Sequence, residues 1–279
     1  MNIPIVVEDV SLEFAAGKGK AGLPVLANVS FVVQPGEFVS LLGPSGCGKS
    51  TLLNIVAGLM MPNSGEVRVG DSVINARSRA IPAGIGFVFQ SPRLLNWRTV
   101  RRNLQYVLDA AGVARSRQRA RIDDVLQMVG LSDFADTYPL RLSGGMQQRV
   151  ALARALVVEP HVILMDEPFG ALDAITAQKL REDVSYLCQE SGATVLYVTH
   201  NMDEAVFLSD RILLMKERPT SIGKDVAVPF ARPRRATDPE LAVTSSALTE
   251  EFFEGVLHAD GSALTQPGVA SGTRIGPNT

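Results

Sequence analysis

The chain has 279 residues, 46% of them hydrophobic, with 27 basic and 29 acidic side chains and a formal net charge of −2. That is enough apolar material for a sizeable core, while so balanced a charge exerts no general pull toward nucleic acid or an anionic membrane, and no nucleic-acid partner is expected. The longest apolar runs, "VILM" at Val162–Met165 and "LLNIVAGLMM" at Leu52–Met61, fall far short of the roughly 18–20 residues that cross a bilayer.

In chain order, "PIVVEDVSLEF" and "VLANVSFVV" read as two strands joined by the Gly-rich "AAGKGKAGLP". The opening segment lacks the basic-then-apolar pattern of a secretory leader. "FVSLLG" predicts a buried strand that runs into a second Gly-rich loop and the helical "KSTLLNIVAGL". "PNSGEVRVGDSVI" predicts a turn and one more strand, and "IGFVFQ" another that ends on Gln90. From Thr99 to about Val158 apolar residues recur at spacings of three and four, which predicts a helical block inserted between strands. Strands "VILMDE", "ATVLYVTH" and "RILLMK" then alternate with helical sequence, the pattern of a largely parallel, doubly wound sheet. "FARPRRATDPEL" reads as turn-rich, "LTEEFFEGVL" as a final amphipathic helix, and the residues from about 258 as a flexible tail. Cys47 and Cys188 form no C-x-x-C pair, which fits a reducing compartment.

Chemistry concentrates at strand ends. Gly43, Pro44, Ser45, Gly46, Cys47, Gly48, Lys49 and Ser50 satisfy G-x-x-x-x-G-K-[ST] between a strand and a helix, the arrangement in which backbone N–H groups and a helix N-terminus cradle phosphates. Lys49 is expected to reach the β and γ phosphates of ATP, Ser50 to ligate Mg²⁺, and Thr51 to add a hydroxyl contact. Asp166 closes the apolar run "VILM" and is the expected partner of Mg²⁺, with Glu167 the candidate to orient or deprotonate water. His200 and Gln90 close two further strands on the same edge, each within the region where open α/β sheets bind ligands.

With "GPSGCGKS", "FQ", "LSGGMQQR", "MDEP", "ALD" and "TH" in this order, the sequence resembles the nucleotide-binding subunit of an ABC transporter over about Val6–Lys216. The resemblance implies an α/β P-loop NTPase fold: a mostly parallel core sheet, an N-terminal antiparallel β subdomain and an inserted α-helical subdomain at about 91–158. The ATPase domain is expected to span residues 1–257, with an extension at 218–257. It further implies that two copies pack head to tail, so that Ser143, Gly144 and Gly145 of one complete the ATP site of the other. By position, Gln90 resembles the loop residue that senses γ-phosphate and couples to the membrane subunits, and is also an expected Mg²⁺ contact; Glu167 resembles the catalytic base, Asp173 the contact across the dimer, and His200 the switch histidine. Phe14 is the candidate to stack on adenine, with plain core packing as the alternative.

The implied partners are a second ATPase subunit, two transmembrane permease subunits and a solute-binding protein acting through them, with this chain at the cytoplasmic face of the membrane. "SPRLLNWRTVRRNL", Ser91–Leu104, is the expected permease contact, with Leu94, Leu95 and Trp97 either presented there or packed under the local helix. "LLNWRTVRRNL" and "PFARPRRATDPEL" resemble the branch of importers for nitrate, sulfonate and taurine. An exporter subunit is the nearer alternative. An ABC-type ATPase of DNA repair is the more remote one, because it would carry a long heptad coiled coil where this chain has short helices.

Overall fold

The structure is a computed structural model that describes residues 3–15, 22–78, 80–170 and 172–253. The Gly-rich loop between the first two strands and the expected tail lie largely outside those residues. Two sheets form the frame. The first is antiparallel, in the order β2 (Leu23–Val33), β1 (Ile5–Phe14), β4 (Ser64–Val69), β5 (Ser72–Asn75). The sequence predicted one strand after Pro62; the structure has a hairpin there, because Gly70 at φ 58° reverses the chain between two short β-branched runs.

The second sheet has the order β10 (Ile222–Ala227), β9 (Arg211–Met215), β3 (Phe38–Leu42), β8 (Thr194–Thr199), β7 (Val162–Asp166), β6 (Ile85–Val88). Its strands run parallel except β10, which pairs antiparallel with β9. The α/β architecture therefore matches the expectation, with β10 as an edge strand that its mixed polar sequence "IGKDVA" did not announce.

Alternation along the buried strands sorts side chains onto two cores. Val39, Leu41, Leu164, Leu196, Val198 and Leu213 face the antiparallel sheet and α1 (Lys49–Val56). Phe38, Leu42, Ile163, Met165, Tyr197 and Ile212 face the opposite way. That second core holds α4 (Gly144–Leu156), α5 (Ala174–Ser191) and α6 (Met202–Leu208), together with the inserted helices α2 (Val100–Ala110) and α3 (Arg115–Met128). Caps set the helix starts: Thr99, Ser143 and Asp173 each accept a backbone N–H three residues on, from Arg102, Met146 and Thr176. Gly192 at φ 61° ends α5.

The final helix starts earlier than the sequence suggested. α7 (Pro239–Glu251) begins at Pro239 rather than at Leu248, since Asp238 and Pro239 supply the start signal that the turn-rich reading of "RATDPEL" overlooked; residues 254–257 of the expected helix lie outside the described residues. It packs on α6, where the Ser245 hydroxyl bonds the Asp203 carboxylate. The segment leading to it is pinned by two arginines. Arg232 makes a bidentate pair with Asp210 at 2.8 Å. Arg234, 6% exposed, donates to the carbonyls of Val206, Phe207, Ser209 and Phe230, closing the C-terminal end of α6, and burial pushes its pKa down to about 10. Arg234→Met should lower unfolding stability by about 3 kcal/mol, because buried carbonyls lose their donor. Urea denaturation checks this, and an unchanged midpoint would contradict it.

Candidate active site at the carboxyl edge of the core sheet

The loop between β3 and α1 holds the phosphate-binding signature. Gly46 and Gly48 sit at φ 76° and 127°, and a Cβ on Gly48 would lie 2.9 Å from Val25 Cγ1. Only glycine fits there. Lys49 is 4% exposed and its Nζ donates to the carbonyls of Gly43 and Pro44, each at 2.8 Å. No side chain caps the N-terminus of α1, so its first N–H groups remain available to an anion. Ser45, Gly46 and Ser50 are exposed, Cys47 is buried and Thr51 half-buried. This cradle of open amides, hydroxyls and one ammonium fits a polyphosphate.

Across the sheet edge, Ser50 Oγ donates to Asp166 Oδ1 at 2.8 Å. Burial raises the Asp166 carboxyl above its ordinary pKa, and the Glu167 charge adds to this while the Ser50 hydrogen bond opposes it. Hard oxygen donors at this spot suit Mg²⁺, which takes one or two protein ligands and relies on phosphate and water for the rest. Glu167 follows at φ 43°, a left-handed conformation that is uncommon for a residue with a Cβ. Such backbone costs of order 1–3 kcal/mol and is tolerated where the surroundings hold it. Its carboxylate stands 3.1 Å from His200 Nδ1 and 3.5 Å from Gln90 Nε2. Four strand ends thus bring Lys49, Ser50, Gln90, Asp166, Glu167 and His200 to one edge.

The Ser143 turn stands apart. Ser143 and Gly144 are exposed at the N-terminus of α4, with nothing within 4 Å of a Cβ placed on Gly144. Gly145 packs against Thr176 in the first turn of α5, beside Asp173. The Thr176 backbone N–H holds the exposed Asp173 carboxyl below its ordinary pKa. Among the described residues, no hydrogen bond or ion pair joins the Ser143 turn to the phosphate loop of the same chain. Phe14 lies at the end of β1, 41% exposed and paired with Leu23.

In the expected permease contact, Leu94 packs against the core whereas Trp97 is 74% exposed. Asn103, fully buried, accepts from the Leu95 N–H and donates to the Leu95, Arg98 and Thr99 carbonyls, so the loop that carries Trp97 is ordered.

Two sets of site residues escaped sequence reasoning. Thr220, fully buried, donates its hydroxyl to the Cys47 carbonyl and its N–H to Val25 O, tying the phosphate loop to the turn after β9. Gln148 and Arg154 of α4 donate to Phe89 O and to Arg93 and Pro92 O, so the loop that follows Gln90 is fastened to the helix that begins at Ser143. Nothing local in the sequence marks these, since each is recognised only by a carbonyl far along the chain.

The ABC transporter family model matches residues 26–170, and the chain belongs to that family. Its fold is that of the family's ATP-binding cassettes, and the chain is an ATP-hydrolysing ABC transporter subunit. Among its relatives, the aliphatic sulfonates import ATP-binding protein SsuB 1 of Pseudomonas savastanoi pv. phaseolicola is 47% identical over 234 residues, covering 84% of this chain and 92% of that protein. The taurine import ATP-binding protein TauB of Ruegeria pomeroyi is 43% identical, covering 81% and 82%. The nitrate import ATP-binding protein NrtC of Synechococcus elongatus is 46% identical over 75% of this chain, which spans only 32% of that protein's length. Among solved structures, the dimeric ATP-binding cassette MJ0796 in a post-hydrolysis state with ADP and Pi superposes with a TM-score of 0.71 at 33% identity, covering 81% of this chain and all of that one.

Proposed function

We propose that this chain energises the import of a small solute of the nitrate, sulfonate or taurine kind through separate permease subunits, working as a head-to-tail dimer at the cytoplasmic face of the membrane. The observation that carries the hydrolytic part is the Glu167 carboxylate held between His200 and Gln90, one residue beyond an Asp166 bonded to the phosphate-loop Ser50. The names of the relatives support the solute class and the direction.

In this reading the amides of Gly46 to Thr51 and the Lys49 ammonium hold the phosphates, so Lys49 exchanges two carbonyls for phosphate oxygens. Ser50, Asp166 and Gln90 would hold Mg²⁺, which would supply charge neutralisation to the bound phosphates. Glu167 takes a proton from the attacking water and His200 contacts the γ-phosphate. Phe14 stacks on adenine. The partner's turn, through its own copy of Ser143, Gly144 and Gly145, closes over the γ-phosphate, with Asp173 at the dimer contact. Trp97 meets the permease, and a solute-binding protein delivers cargo on the other side.

Purified chain reconstituted in liposomes with its co-encoded permease and binding protein tests this. ATP turnover is expected to need Mg²⁺, to fall at least about 100-fold in Lys49→Ala, and to rise with one of nitrate, taurine or an alkanesulfonate. Wild-type turnover in Lys49→Ala would remove the site, and outward transport alone would remove the import reading.

A further inference from the structure

His200 has little packing to hold it. Its side chain is 54% exposed, and beside it opens a cavity of about 640 Å³ lined by Glu167, His200, Arg181 and Glu204 among others. Beyond its 3.1 Å contact with Glu167, its orientation rests on the backbone on either side, and that backbone converges on one carboxylate.

β8 delivers Tyr197 and Thr199, His200 follows, and Asn201 caps α6 by accepting the Glu204 N–H at 3.2 Å. In an ordinary capping box the Glu at the third helical position would take the cap residue's own N–H. Here the Asn201 N–H goes instead to Thr199 Oγ1 at 3.0 Å, and that hydroxyl donates on to Glu204 Oε2 at 2.8 Å. The same oxygen accepts from Tyr197 Oη at 2.6 Å, while Oε1 faces Arg181 Nη1 at 3.3 Å. Glu204 is 9% exposed. It joins β8, α6 and α5, the last of which follows directly on the turn that carries Glu167 and Asp173.

We propose that Glu204 is a positioning residue for ATP hydrolysis: its buried carboxylate fixes Thr199 and Asn201 on either side of His200, and so holds the imidazole against Glu167. This rests on the roles of Glu167 and His200 proposed above. Loss of the carboxylate lets the segment rotate toward the open cavity, and displacement of a catalytic group by about 1 Å can cost about 100-fold in rate. The phosphate loop lies on other elements, so most of the contacts that hold ATP remain and its affinity changes little.

The test is a double-mutant cycle on the full chain, read as steady-state hydrolysis of MgATP over a range of ATP concentrations in excess of protein. Glu204→Gln should lower kcat at least about tenfold with KM for ATP within about twofold. In a His200→Ala background the same change should cost less than about twofold further, because both act through one group. If Glu204→Gln does not fold, Thr199→Val cuts the link from Glu204 to Asn201 and should reproduce the kcat loss. A Glu204→Gln enzyme within twofold of the unmodified chain overturns the inference, as does an undiminished loss when His200 is already absent. Fast turnover by His200→Ala or Glu167→Gln would instead overturn the site reading itself.

Discussion

Glu167→Gln should bind ATP with unchanged affinity yet hydrolyse it at least about 100-fold more slowly, the scale of a lost general base. The carboxylate is largely buried, sits on a left-handed backbone and has His200 and Gln90 within reach, so an amide of the same shape keeps the packing while losing the proton acceptor. Lys49, Ser50 and Asp166 are untouched, so nucleotide stays bound. The variant should therefore accumulate as an ATP-loaded dimer, visible by size-exclusion chromatography with ATP and absent with ADP. Turnover within a few-fold of the unmodified chain would take Glu167 out of the role of base.

Ser143→Arg should abolish ATP-driven dimer formation while a single chain still binds nucleotide. Ser143 caps α4, and losing that cap costs about 1 kcal/mol, too little to unfold a domain of this size. The exposed turn leaves room for a guanidinium in the isolated chain. In a closed dimer the same side chain would fill the space meant for γ-phosphate and meet the Lys49 of the other copy, at a cost of several kcal/mol. That corresponds to a dimer weakened by at least about 100-fold, measured by analytical ultracentrifugation with MgATP. Equal loss of monomer nucleotide binding would mean that the turn acts within its own chain.

The phosphate loop and the order of strand ends were legible in the residues because their chemistry is local. A turn that must wrap phosphate needs its glycines at set positions, and an aspartate at the end of an apolar run has a predictable place. Trp97 and Leu94 divide along the same line. Both are apolar residues in one loop, and only packing distinguishes the half-buried Leu94, which rests on the core, from the exposed Trp97. The start of α7 was readable in principle from Asp238 and Pro239, but a turn-rich composition masked the cap.

By itself the amino-acid sequence determined the α/β alternation, the phosphate cradle and the candidates Lys49, Ser50, Gln90, Asp166, Glu167 and His200, since spacing and residue type suffice for these. The tertiary structure alone decided which groups hold them in place. Thr220 clamps the phosphate loop, Arg154 ties down the loop after Gln90, and Glu204 gathers Tyr197, Thr199 and Arg181 beneath His200. A hydrogen bond between a side chain and a distant carbonyl or carboxylate leaves no periodic trace in a sequence, because its partner is chosen by the fold.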